Sequence, residues 1–265
     1  MKKNRYPERI LNRGSLKLLN KTQLEWNFCT IFPSFATIQA FPPKTDPDGK
    51  NKGTISIRTF SVSHVNEKWM SSSLQGADVL RKLLSICRKN MQEIYNASRF
   101  QKIGWNDDIK KKEFQQEFSH FLIVNFPQQL PQAMNADGVI AFIFFRFELD
   151  EDNSEHLPIC YIWELQIMPE FQSLGIGKHL IAFVEGISRY FGICKMMCTV
   201  QKKNTGASKF YKEKCGFVLD ESNPDNFIKR GKQKESACDY EILKVQLRSS
   251  DEFFNSIEHY SPYVL

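Results

Sequence analysis

The sequence predicts an α/β domain on a mostly antiparallel sheet, from three observations: alternating strand-like and helix-like segments, one glycine-bearing strand-to-helix turn, and no internal repeat. A chain of 265 residues is long enough for one well-buried core and short for two, so a single domain with extensions is expected. The assignment is residues 1–22 as a basic tail, 23–53 as an arm packing on the domain, 54–248 as the domain, and 249–265 as a C-terminal extension.

The arm places aromatic residues among turn formers and predicts irregular structure. Residues 54–65 are β-branched and aromatic and predict the first strand. Within 77–96, Leu80, Leu83, Leu84, Cys87, Met91, Ile94 and Tyr95 fall at helical spacing. A Lys-rich second helix is expected over 106–116. Strands follow at 119–126, 138–147 and 159–167, the last two as a hairpin around an acidic turn. Residues 177–191 line up Leu180, Val184, Ile187 and Phe191 on one helical face. A short strand at 196–200, a short helix at 206–214 and closing strands at 216–220 and 239–247 complete the order, with a polar basic loop at 224–235.

Composition excludes several classes. No stretch of about 18 apolar residues is present to span a membrane, and the N-terminus has no apolar segment of the secretory kind. The seven cysteines form no C-x-x-C pair and no zinc-spaced set with His, so no metal is expected. Reduced, buried thiols in the cytoplasm or nucleus fit their odd number and apolar neighbours. Residues 1–21 hold seven bases and one acid, while the remainder balances at 29 of each. The net charge of +6 therefore belongs to the tail. That tail is compatible with nuclear import, contact with nucleic acid or the ribosome, a mitochondrial presequence, or a solvated extension without a partner.

The turn Gln172-Ser173-Leu174-Gly175-Ile176-Gly177-Lys178 joins the strand at 159–167 to the next helix. Its glycines permit positive φ and close backbone approach, and the helix start offers unpaired N–H groups to a phosphate. A dinucleotide fold needs a third Gly and a later acid, and a nucleotide P-loop needs Ser or Thr where His179 stands. In this setting Gln-x-x-Gly-x-Gly resembles the acetyl-CoA signature of the GNAT acetyltransferases, and Asn204, Phe210, Tyr211, Gly216 and Phe217 resemble their second half-signature. The likeness spans roughly 54–247. It implies a GNAT fold, a mixed, mostly antiparallel twisted sheet flanked by helices. It implies acetyl-CoA as cofactor, held by Leu165, Gln166, Ile167, Gln172, Ser173, Leu174, Gly175, Ile176, Gly177, Lys178 and Asn204.

A narrower likeness rests on Asn90-Met91-Gln92-x-x-Tyr95, Phe145-Arg146-Phe147, Tyr161-x-x-Glu164-x-Gln166, Thr199-Val200 and Asp239-Tyr240-Glu241-Ile242-Leu243. Together these resemble the NatD family of N-terminal acetyltransferases, which act on the N-terminal Ser of histone 4 and histone 2A in cytoplasm and nucleus. The resemblance implies those histone N-terminal peptides as partners.

An α-amine, with a pKa of about 7.7–8.0 against about 10.4 for Lys, makes modest demands on a base. Glu164 lies mid-strand in an apolar run, on the opposite face from Tyr161, Trp163 and Leu165 by strict alternation. From position alone it reads equally as a base or as an ion-paired strand carboxylate; the resemblance selects the base. Tyr211 reads as a proton donor to the leaving thiolate or as a core aromatic, and NatD members carry Phe there. Asn204 reads as a helix cap and, by resemblance, as a cofactor contact, which are compatible roles. The five His residues are dispersed, and no Ser-His-Asp set or activated Cys is evident, so direct attack in a ternary complex is expected.

The segment 148–155 holds five acids and no base. Glu148 and Asp150 read as a clamp for a guanidinium or as part of a solvated acidic turn. The resemblance makes them the pair that holds the Arg of a Ser-Gly-Arg-Gly terminus, with Tyr95, Tyr161, Trp163, Thr199 and Tyr240 as the other peptide contacts. The chain departs from the family in carrying Glu-x-Asp for Asp-x-Glu, Trp163 for Tyr, and a longer segment at 99–104 before Trp105. Competing readings are an acetyltransferase for Lys side chains or small amines, which lacks an evident second base, and a silent acetyl-CoA-binding module.

Overall fold

The computed structural model describes residues 28–40, 58–98, 103–125, 136–150, 157–227 and 238–247. The basic tail, the C-terminal extension and the acids Glu151, Asp152 and Glu155 lie outside the described residues, as do 99–102.

Eight strands form one sheet in the order β1-β2-β3-β4-β5-β6-β8-β7. They are β1 Thr37–Ala40, β2 Arg58–Asn66, β3 His120–Asn125, β4 Val139–Leu149, β5 Pro158–Ile167, β6 Lys195–Gln201, β7 Val218–Leu219 and β8 Tyr240–Gln246. The helices are α1 Phe28–Ile31, α2 Glu67–Ser72, α3 Leu74–Asn96, α4 Asp107–Phe114, α5 Ile176–Tyr190 and α6 Thr205–Lys209, the last running into a π-helical turn, Phe210–Lys214. All strand pairs are antiparallel except β5 with β6. That parallel pair is joined by α5, the crossover such a pair requires.

Local chemistry sets the helix starts. Asn66, Ser73 and Asn106 each cap a helix through a side-chain oxygen, accepting from Trp69 N, Gly76 N and Ile109 N at 3.0, 2.9 and 3.0 Å. Two apolar layers cover the sheet. On one face α3 and α4 bury Val79, Leu83, Ile86, Cys87 and Phe114 against Phe121, Phe142 and Phe144. On the other, α5 packs Leu180, Phe183, Val184 and Ile187 against Phe145, Phe147, Cys160 and Ile162.

Three local expectations are corrected. The arm is not wholly irregular: Phe28, Phe32, Phe35 and Ile38 enter the α5-side core, and β1 pairs antiparallel with β2. The helix α2 fills part of 66–76, a stretch to which the sequence pattern assigned no element. Cys194 is exposed, whereas Cys87, Cys160 and Cys198 are buried. No described helix is long and apolar enough to cross a membrane.

Candidate active site

The site forms where β5 and β6 part. They pair only at Cys160–Met196, Tyr161–Met197 and Ile162–Cys198, while β5 runs on to Ile167 and β6 to Gln201. Beyond those pairs, the Leu165–Ile167 stretch stays bonded to β4 alone among the described strands.

A bulge aims the central carboxylate. Phe144 pairs with Glu164 and Phe145 with Ile162, which leaves Trp163 as the extra residue. Cys160, Ile162, Leu165 and Ile167 pack on the α5 side, whereas Trp163 packs on the α3/α4 side. Glu164 bonds α4 on that same side. The alternation that put Glu164 opposite Trp163 is thus corrected: the bulge shares one face between Tyr161, Trp163 and Glu164.

Glu164 is 6% exposed. Its Oε1 accepts from Lys110 Nζ at 2.8 Å and its Oε2 from Gln166 Nε2 at 2.7 Å. Each carboxylate oxygen has two lone pairs, so acceptor capacity remains on both. Lys110 is 7% exposed, also donates to Glu113 at 2.5 Å, and lies 5.2 Å from the centroid of the Tyr95 ring. Burial disfavours its ammonium, yet Glu164, Tyr95 and Glu113 outweigh that and hold its pKa well above the ordinary lysine value. The charge of Glu164, followed by burial, pushes the Tyr95 phenol upward too. Trp105 closes this end, its ring centroid 5.8 Å from that of Tyr95. Behind it, Asn90 donates to Gln166 Oε1 and to the Ile167 carbonyl, both at 3.0 Å. The buried Gln166 side chain therefore serves the α3 side, and its contribution to a cofactor seat is left to its backbone.

Along the same face, the Tyr161 and Trp163 rings lie 5.6 Å apart, and Tyr161 Oη and Thr199 Oγ1 share a 2.6 Å hydrogen bond. Burial pushes the Tyr161 phenol to about 12, against that bond. Tyr240 sits in register with Gln201 and near enough to Tyr161 to affect its phenol. Beside them lies a pocket of about 480 Å³ whose lining includes Glu117, Arg146, Glu148, Asp150 and Tyr161.

The two acids of the expected clamp are both in the lining, and both have partners. Glu148 Oε1 accepts from Trp163 Nε1 at 2.8 Å and from Arg146 Nε at 2.9 Å. Asp150 is 4% exposed and pairs with Lys195 at 2.7 Å, which also reaches Asp220 at 2.9 Å. Asp150 is thus a buried ion-pair member rather than a solvated turn acid.

The cofactor loop has the backbone its sequence asks for. Gly175 caps α5 at φ 80° without a side-chain bond to the helix, and Ser173 is left-handed at φ 61°. A Cβ on Gly177 would sit 3.1 Å from Phe210 Cζ and 3.3 Å from Ile167 Cδ1. Gln172 Nε2 donates to the Ile167 carbonyl at 3.1 Å, tying the loop to β5. Lys178 is exposed beside the helix start, while Ile176 is buried and Leu174 half-buried. Asn204 Oδ1 caps α6 by accepting from Ala207 N at 3.1 Å, and its Nδ2 lies 3.8 Å from Met91 Sδ. Tyr211 lies buried on the π turn against Phe210 and Phe217, and burial pushes its phenol well above the ordinary value. A bare helix start at a left-handed glycine beside a parted strand pair fits a pyrophosphate-bearing thioester cofactor.

Sequence reasoning missed Lys110, Trp105, Asn90, Arg146 and Lys195. Only Arg146 and Asn90 stood in quoted motifs, and neither had a role.

Residues 88–217 match the acetyltransferase (GNAT) family. Similar solved structures include Arabidopsis thaliana NAA60 in complex with acetyl-CoA, 14% identical over 71% of this chain and 98% of that one, TM-score 0.48. A PaiA N-acetyltransferase from Thermoplasma acidophilum in complex with coenzyme A is 14% identical over 71% and 98%, TM-score 0.46. The NatC complex bound to Gag peptide and CoA is 11% identical over 71% and 99%, TM-score 0.45. The family match covers just under half of the chain.

Proposed function

We propose that this chain is an acetyl-CoA-dependent acetyltransferase of the GNAT kind that modifies the N-terminal α-amine of proteins, with Ser-Gly-Arg-Gly termini of the histone 4 and histone 2A type as its substrates. One observation carries the reading. The bulge at Trp163 turns Glu164 onto the face that holds Tyr95, Tyr161, Trp163 and Thr199, so a buried carboxylate lies beside the side chains to which the resemblance assigns the peptide. The acid-lined pocket adjoins those side chains. The motifs resembling NatD supply the substrate class.

Acetyl-CoA supplies an activated acyl group. Gly175, Gly177 and the N–H groups at the start of α5 would hold its pyrophosphate, with Lys178 beside them and Asn204 bracing the opposite wall. Glu164 takes the proton of the attacking amine, directly or through one water. Lys110 and Gln166 hold that carboxylate in place. Tyr211, kept protonated by burial, is the donor on the leaving-group side. An α-amine is partly neutral near pH 7, so one carboxylate suffices and no covalent enzyme intermediate is required. The basic tail adds a second contact, with the ribosome or with nucleic acid, and the protein works in cytoplasm and nucleus.

The test is incubation with acetyl-CoA and a Ser-Gly-Arg-Gly-Lys peptide, followed by fragmentation mass spectrometry. Acetyl on the Ser α-amine is the expected result; acetyl on the Lys alone, or no transfer, sinks the reading.

A further inference from the structure

Of the two acids expected to bind a peptide guanidinium, Glu148 already holds one. Phe144 on β4 packs on the α3/α4 face, and alternation brings Arg146 and Glu148 to the same face. The Arg146 guanidinium carbon lies 4.3 Å from the centroid of the Trp163 ring. Its Nε and Nη2 reach Glu148 Oε1 at 2.9 and 2.7 Å, and its Nη1 bonds Gln116 Oε1. Stacking on an aromatic plane while forking onto a carboxylate is how a protein binds an arginine side chain. Here the arginine is the chain's own.

Charge accounting points the same way. The pocket owes its acidity to Glu117, Glu148 and Asp150. Arg146 neutralises Glu148, and Lys195 neutralises Asp150. A second guanidinium entering this lining would meet a like charge and two acids already paired. Glu148 is only partly spent, however. Its three donors share Oε1, so the carboxylate has acceptor capacity left once Arg146 withdraws. The exposed turn residues Gln116 and Glu117 give a displaced Arg146 somewhere to go.

We propose that Arg146 is an internal stand-in for the peptide's arginine, occupying the Trp163–Glu148 subsite and yielding it when a peptide with Arg near its N-terminus binds. The inference rests on the N-terminal acetyltransferase reading for its substrate, but not for its geometry. Arg146 is on this account a specificity-determining residue: its occupancy lowers affinity for every arginine-bearing peptide and leaves peptides without arginine untouched. A subsite open only a fraction of the time weakens apparent affinity by that fraction.

The experiment compares full-length wild type with Arg146→Gln, which keeps a planar amide and drops the charge. KM is measured for Ser-Gly-Arg-Gly and Ser-Gly-Ala-Gly peptides at saturating acetyl-CoA. The expected result is a fall of about tenfold in KM for the Arg peptide, equivalent to opening a subsite that is free about one tenth of the time, with the Ala peptide within about twofold. An unchanged or raised KM for the Arg peptide, or an equal fall for both, overturns the proposal. Arg146→Lys keeps a charge but loses the fork and the stacking plane, and a smaller fall of about threefold is expected. That variant decides the matter if Arg146→Gln does not fold. Should neither peptide be acetylated by any variant, the N-terminal reading fails. Calorimetric titration with argininamide then tests the subsite alone: tighter binding to Arg146→Gln sustains the inference, and equal binding overturns it.

Discussion

At the scale of single residues, the site is defined by a pair that only folding brings together. Lys110 and Glu164 are 54 positions apart and 2.8 Å apart in space. Both are buried, so removing Lys110 leaves the charge of Glu164 uncompensated, at a cost of about 3–5 kcal/mol. Lys110→Met is therefore expected to lower unfolding free energy by that amount in urea titrations, and Lys110→Met with Glu164→Leu to recover most of it. Failure of the double variant to recover would show that the pair is not the source of the loss. Glu164 was legible because a carboxylate inside an apolar run is conspicuous. Lys110 was not, because Lys110, Lys111 and Lys112 are chemically alike and only packing around Phe114 buries one of them. For Glu148 and Asp150 the charge was legible and the pairing was not: Arg146 meets Glu148 from two positions away on the same strand face, and Lys195 reaches Asp150 from β6 only in the folded sheet.

At the scale of elements, helix α5 carries the glycine loop proposed as the cofactor seat, and the β5 bulge orients Glu164, the proposed base. A Cβ on Gly177 would press on Phe210 and Ile167, and crowding of that kind costs about 1–3 kcal/mol. Alanine regains about 1 kcal/mol of helix propensity at this position, so Gly177→Ala is expected to lower stability by less than that crowding cost and to raise KM for acetyl-CoA, while peptide KM stays near the wild-type value. A variant that melts normally and keeps its acetyl-CoA KM would remove Gly177 from the seat. The long strands and α5 were legible from periodicity and the glycine turn. The bulge was not, because reading a strand by alternation assumes the register that a bulge breaks. Strand β1 was hidden by its four-residue length among prolines and aromatics, and α2 by its length of six residues, too short to show a helical period.

At the scale of the molecule, two apolar layers enclose a buried imidazole. His120 is fully buried among Phe28, Phe145 and Phe147. Its Nδ1 lies 3.3 Å from His64 Nε2, and its Nε2 finds no partner among the described residues. Burial lowers its pKa from 6.5 to about 3. The unfolded chain then binds a proton near pH 6.5 that the folded chain refuses. Stability from this group is full above about pH 6.5 and is lost as pH falls toward about 3, at roughly 1.4 kcal/mol per pH unit. Between pH 7 and pH 5 the wild type should lose about 2 kcal/mol more than His120→Phe does; parallel losses in denaturant titrations would refute the assignment. The two-layer architecture was legible from element order, and the mostly antiparallel sheet from its hairpins. What no pattern announced is how lightly the sheet is sewn together between β5 and β6. Strands β1 to β5 form one panel and β6 to β8 another, and the seam between them closes for only three residue pairs. A cofactor bound in the open part of that seam, as proposed, would do for the two panels what ladder bonds do elsewhere in the sheet: it would complete the fabric as well as feed the reaction.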